Sequence, residues 1–373
     1  MASAGDLVLV GGGHAHLQVL LCWAAARPAG VRLCLVVDEP ISIYSGMVPG
    51  FVAGHYAAHE LEIDLRPLAE RAGARLVVAR AVGVDAKAHQ IELAENAELR
   101  FDVASLDVGS TQAGLELPGV AEHALATRPL ARLVRGLDAL LERARATQRL
   151  RLAVVGAGAG GVELAFALRA RLAREVARDA VVALLEASPR VLPALAERVS
   201  RRIEGAARAR GIELHLGAPV ASVDAQGIQL ADGSTLACDA VVWAAGGAAP
   251  PWLARSGLAT DRAGFVRVGP TLALEGCRDL FAAGDCARFE PPLPKAGVHA
   301  VRQGPVLAHN LRAALAGRPL RRYRPQRDAL ALLNLGDGSA LGTKWGMAAR
   351  GRFVLAMKDR IDRRYVRRMR LEP

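Results

Sequence analysis

Short, unbroken apolar runs recur along this chain, and the main ones close on glycine or on an acidic residue. Residues 7–10 run into Gly11-Gly12-Gly13-His14-Ala15-His16, and Val31–Val37 ends at Asp38. Residues 152–155 run into Gly156-Ala-Gly158-Ala-Gly-Gly161, and residues 181–185 end at Glu186. Continuous runs of this length, as opposed to alternating ones, suit parallel strands covered on both faces. Leu164, Ala165 and Leu168 then continue at helical spacing. A second helical pattern, Leu130, Leu133, Leu137, Leu140 and Leu141, predicts a helix over 129–145. Residues 265–268 and 280–283 read as further short strands, the second ending in Gly284-Asp285-Cys286.

The second glycine turn is G-x-G-x-x-G between a strand and a helix, and each glycine has a task. Gly156 permits the tight turn, Gly158 lets backbone amides approach a pyrophosphate, and Gly161 lets the helix pack closely on the strand. Glu186, at the end of the next strand, is placed to accept a hydrogen bond from the adenosine ribose of NAD. The first turn begins 145 residues earlier, and the echo extends beyond the glycines. A hairpin pattern over 91–102 runs through Asp102 into Gly109, and one over 228–239 runs through Asp239 into Gly246. The aspartate-to-glycine spacing is seven residues in both. The chain reads as an internal duplication of a dinucleotide-binding module: an α/β protein of two Rossmann-like modules with a C-terminal helical, basic extension. The first copy departs at its third glycine position, where His16 is expected to hold the helix away from the strand or to turn its ring toward a ligand.

At 373 residues and 52% hydrophobic, the chain is long enough for two substantial cores. No apolar run reaches the roughly 18 residues that span a bilayer, and the first strand follows Met1 too closely for a signal peptide. Five scattered cysteines suggest neither a zinc ribbon nor a disulfide framework, so a cytoplasmic setting and no metal are expected. His55 and His59 would share a helical face, but no third ligand is near. Net charge is +11, with ten basic and three acidic residues from 344 to 373. Within that tail Val354, Met357, Ile361, Tyr365 and Met369 recur at helical spacing. Such a helix either lies on an anionic membrane, suiting a peripheral enzyme of its inner face, or packs against this protein or a second subunit. Oligomeric state stays open. Aromatic residues make up 4% and do not interleave a basic groove, so no nucleic-acid partner is expected.

The two glycine turns, the Asp-to-Gly strands and Phe281-Ala-Ala-Gly-Asp-Cys286 resemble the FAD-dependent flavoproteins of the pyridine nucleotide-disulfide oxidoreductase superfamily. More closely, the chain resembles the type II NADH dehydrogenase-like branch, and within it the proteins sometimes fused ahead of selenide, water dikinase. The stretches that carry this are the Gly11–His16 turn, Tyr44-Ser-Gly-Met-Val-Pro-Gly50, the segments 295–305 and 333–338, and Lys358-Asp-Arg-Ile-Asp-Arg-Arg364. The resemblance implies an FAD-binding unit in two segments, 1–112 and 251–325, around an NAD(H)-binding unit over 113–250, with 326–373 as the basic extension. It implies FAD at Gly11, Gly13, His14, Asp38, Tyr44, Ser45, Pro49, Val82, Gly109, Gly284 and Asp285. It implies NAD(H) at Gly156, Gly158, Gly161, Glu186 and Gly246, with Glu163, Lys295 and Gln303 as catalytic side chains. The implied reaction passes hydride from NADH to flavin and electrons onward to a small-molecule acceptor, a quinone first. A selenium or sulfur species is the alternative acceptor, and a redox-regulated flavoprotein binding nucleic acid or a partner is the alternative class. Residues 39–60 hold no cysteine, so no thiol relay is expected. Val298 and Arg302 stand where the branch carries glutamines.

Overall fold

In the computed structural model, which describes residues 5–146, 150–175 and 180–372, the apolar runs assemble into two parallel five-stranded sheets. The first takes β1 (Gly5–Val10), β2 (Val31–Val37), β3 (Ala74–Val78), β4 (Val103–Leu106) and, from far along the chain, β10 (Leu280–Ala282). The second takes β5 (Ala124–Ala126), β6 (Arg151–Val155), β7 (Val181–Glu186), β8 (Ile212–Leu216) and β9 (Ala240–Trp243). Their orders, β10-β4-β1-β2-β3 and β5-β9-β6-β7-β8, correspond in the four strands after the edge, while the edge strand comes from late in the chain in the first sheet and from just ahead of β6 in the second. The duplication therefore holds at the level of topology. Each sheet also carries a three-stranded antiparallel meander, over 81–100 and 220–237, with a bulge at the same early position in both.

Each glycine turn feeds a helix whose apolar face covers its sheet. In α1 (His14–Ala25), Leu17, Leu20 and Trp23 are fully buried; burying such side chains contributes about 1.5–3 kcal/mol each. Helix α2 (Leu130–Ala146) buries four of the five leucines that predicted it, Leu133, Leu137, Leu140 and Leu141, and α3 (Ala159–Glu175) buries Leu164, Ala165 and Leu168. The chain crosses between the sheets beside an antiparallel pair, Thr111–Gln112 with Gly247–Ala248, so both crossings lie together. Helix α4 (Gly297–Leu315) then packs along α1.

After α4 the chain forms a meander, β11 (Ala331–Asn334), β12 (Ala340–Lys344) and β13 (Met347–Gly351), and then α5 (Arg352–Met369). The tail helix is where expected, but its faces are not. Val354, Lys358, Asp362, Val366 and Met369 are buried and Tyr365 packs on the core, whereas Met357 and Ile361 are exposed. Apolar spacing alone put 357 and 361 on the inner stripe. A buried Lys–Asp pair takes those inner places, because it satisfies itself there. His55 also lies outside the short helix Ala58–Leu61 that holds His59, so the two share no helical face. Among the described residues, no helix is long and apolar enough to cross a membrane.

Candidate active site between the two glycine turns

Both turns have the shape that a dinucleotide needs. Gly156 sits at φ +101°, and a Cβ on Gly161 would lie 1.8 Å from the Gly156 carbonyl oxygen, so neither position tolerates a side chain. Gly158, Gly109 and Gly246 face open space, which leaves room for phosphates or a ring against the backbone. Gly11 repeats the positive φ of Gly156, at +98°. At the strand end, Glu186 accepts from the Ala157 amide at 2.7 Å and the Ser188 amide at 2.9 Å, tying the turn to β7. Arg190, four residues on, donates to the carbonyls of Pro193 and Leu195 and to Ser200, so its guanidinium is already engaged. Asp38 is exposed at the end of β2, and Val82 lies on the first strand of the meander with about 38% exposure.

Between the turns lies an aromatic and polar cluster drawn from five parts of the chain. Tyr44 stacks on Tyr365 with ring centres 4.6 Å apart, and His14 stands 5.5 Å from both. The His14 Nε2 lies 3.4 Å from Ser45 Oγ, while its Nδ1 has no partner among the described residues; burial pushes this ring down to about 4, so it is neutral. The Tyr44 hydroxyl donates to Asp362 Oδ1 at 3.1 Å. Lys358 Nζ donates to Asp362 Oδ2 at 2.7 Å and to the Gly46 carbonyl at 2.6 Å. Glu163, on the second turn of α3, accepts from the Asn334 amide at 2.8 Å. Burial pushes its carboxyl up to about 7, against the pull of nearby Lys358. Pro49 is buried in the short helix that follows Ser45–Met47.

A second wall comes from the turn Gly284–Cys286. Asp285 pairs with Arg128 at 3.2 Å. Gln303, buried on α4, accepts the Gly284 amide at 2.7 Å. Lys295 donates to the Ala287 carbonyl at 2.7 Å and covers the Phe265 ring at 3.8 Å, so its ammonium is held within this wall. Cys286 is buried against the Ala283 and Leu106 carbonyls, and burial pushes its thiol up to about 12. It is no thiolate at neutral pH.

A family model described as pyridine nucleotide-disulphide oxidoreductase matches residues 5–304. The chain belongs to that family. It is 31% identical to an NADH dehydrogenase-like protein of Mycobacterium tuberculosis, over 75% of this chain and 72% of that one. It is 24% identical to a type II NADH:quinone oxidoreductase of Staphylococcus saprophyticus, over 84% and 83%. Its fold matches NDH2 of Plasmodium falciparum, solved with NADH, at a TM-score of 0.81 and 14% identity, over 99% and 98% of the chains. As a family member the chain is an oxidoreductase that uses FAD and NAD(H), and the open space at Gly109, Gly158 and Gly246 fits two such groups.

Several members of the cluster escaped the sequence reading as site residues. Arg128 sits in a segment with no motif of its own, and Asn334 was visible only within the stretch 333–338 that carries the resemblance. Lys358, Asp362 and Tyr365 were visible only as part of a recurring stretch or of an apolar stripe. Their role depends on α5 folding back over Tyr44 and Ser45.

Proposed function

We propose that the chain passes electrons from NADH through FAD to a quinone, the first glycine turn holding FAD and the second NADH. The observation that carries this reading is the convergence of Glu163, Tyr44, Lys358 and Asp362 between the turns. In this reading, segments 1–112 and 251–325 form the FAD unit and 113–250 the NAD(H) unit. Gly11, Gly13 and His14 lie at the FAD pyrophosphate, Asp38 at the ribose, and Asp285 at the ribityl chain. Bound FAD supplies two-electron chemistry between nicotinamide and acceptor. The chain's own residues orient and screen it. Tyr44, Tyr365 and His14 give a partly buried aromatic wall. Burial pushes the Glu163 carboxyl up to about 7, and quinone reduction consumes protons, so this carboxyl serves as a proton donor for the step. Lys295 and Gln303 brace the Asp285 turn.

The exposed Trp345, Met347, Phe353, Met357 and Ile361 cluster on β13, its turn and α5, beside the exposed Arg360, Arg364 and Arg367. In this reading they rest on an anionic membrane surface, where a quinone is dissolved. The deciding experiment is anaerobic. NADH should bleach the bound flavin, and a short-chain quinone should restore its colour with one quinol formed per NADH. Flavin that NADH reduces but quinones do not reoxidise would overturn quinone as the acceptor.

A further inference from the structure

The duplication supplies its own comparison, because corresponding positions of the two modules differ in a coupled way. At the strand end that faces the glycine turn, the second module has Ala244 and the first has Asp107. At the third glycine position, the second has Gly161 and the first has His16. In the second module these small residues let α3 sit against the Gly156 carbonyl, and a Cβ on Gly161 would lie 3.4 Å from that of Ala244. In the first module the same space is filled by polar groups that bond to the helix. The His16 ring lies 2.7 Å from the Gly11 carbonyl and 2.8 Å from Ser105 Oγ. A carbonyl only accepts, so Nδ1 carries the proton and Nε2 accepts from the serine. The Asp107 carboxylate accepts the Ala15 amide at 2.8 Å and the His16 amide at 3.0 Å, both with Oδ2.

This closes the first turn of α1 from a neighbouring strand. Gly13 stands at the N-cap and has no side chain to do so; a Cβ there would lie 2.3 Å from the Asp107 carboxyl. The Gly13 amide goes to the Asp107 carbonyl at 3.2 Å and the Leu17 amide to the Gly13 carbonyl at 3.1 Å. Among the described residues, the His14 amide is then the first-turn donor left without a protein acceptor. In α3 the amides of Ala159, Gly160 and Gly161 are all left so. The first turn of α1 thus offers an anion a single amide, at a helix end already faced by a carboxyl.

We propose that Asp107 is a positioning residue of the FAD site, holding the first turn of α1 to receive the pyrophosphate at the His14 amide and taking up a proton when it binds. The proposal rests on the reading that the first module holds FAD. Two anions at one helix end repel each other, whereas a protonated Asp107 still accepts both amides through Oδ2. From α1, His14 and His16 face this carboxyl as rings that burial keeps neutral. From the turn after β10 come Asp285, whose charge adds to the repulsion, and the un-ionised Cys286. From α5 comes Tyr365, whose phenol burial pushes further up. Arg128 is paired with Asp285, and Lys295 with the Ala287 carbonyl. No cation among the described residues pairs with the Asp107 carboxyl, and burial pushes it up to about 7.

The test is FAD retention by the holoprotein from pH 5.5 to 8.5, read as free flavin fluorescence at equilibrium. For the wild type, the Kd for FAD should be flat at low pH and rise toward roughly tenfold per unit above about pH 7. Asp107→Asn keeps an acceptor oxygen for the amides and removes the charge, so its Kd should be flat and tighter than wild type at pH 8.5. Asp107→Ala should bind FAD more weakly at every pH. Calorimetry of FAD binding to the wild type at pH 8, in buffers of different ionisation enthalpy, should show uptake approaching about one proton. A wild type with no slope and no proton uptake would overturn the proposal, as would an Asn variant with the wild-type slope. Both outcomes leave FAD binding intact; a wild type that binds no FAD would instead sink the assignment of the first module.

Discussion

Glu163 shows how one carboxyl is tuned by where two modules meet. It follows the third glycine of the second turn, yet its partners, the Asn334 amide and Lys358, come from the C-terminal segment. Burial raises its affinity for a proton and Lys358 opposes this, leaving it near 7. The protonated form donates, so quinone turnover should fall as pH rises through about 7. Glu163→Gln should lower that turnover about 10²-fold and flatten the pH profile, while rapid-mixing reduction of flavin by NADH changes little. An unchanged profile in the Gln variant would remove Glu163 from the proton path.

Helix α5 carries two different surfaces, and the difference has consequences that can be measured. Its inner face delivers the Lys358–Asp362 pair and Tyr365 to Tyr44. Its outer face exposes Phe353, Met357 and Ile361 between arginines. Anionic liposomes should pellet the protein at low salt and release it as salt rises, since exposed charge–charge attraction is screened. Replacing Phe353, Met357 and Ile361 together with serine should abolish pelleting and leave flavin content at the wild-type level. If the triple variant still pellets fully, the apolar face of α5 is not what touches lipid.

On the scale of the whole molecule, the C-terminal segment closes the site that the duplicated modules form. Arg370 donates to the Glu62 carbonyl at 2.8 Å, and Val354, Val366 and Met369 are buried. A chain ending at Arg352 loses these together with Lys358, Asp362 and Tyr365, and uncovers the apolar surface that they bury. It should therefore be recovered with little flavin or in aggregates. A truncated protein that stays in solution with one flavin per chain would show that α5 is dispensable to the fold.

What the sequence determined by itself is local or repeated: the apolar runs, the glycine turns, the helix over 129–145, and the doubling of one module. Run length and turn chemistry act between near neighbours, and a repeat announces itself at any distance. The tertiary structure decided which polar residues are interior. Lys358 and Asp362 lie off the apolar stripe that the sequence shows, because periodicity registers hydrophobicity and not a pair that satisfies itself beside the Gly46 carbonyl. Asp107 read as one more residue of a strand end, since the amides it accepts lie more than ninety residues back, on α1. Hydrogen bonds between segments so far apart leave no spacing in the chain to be read, and they exist only once β4 is laid beside β1.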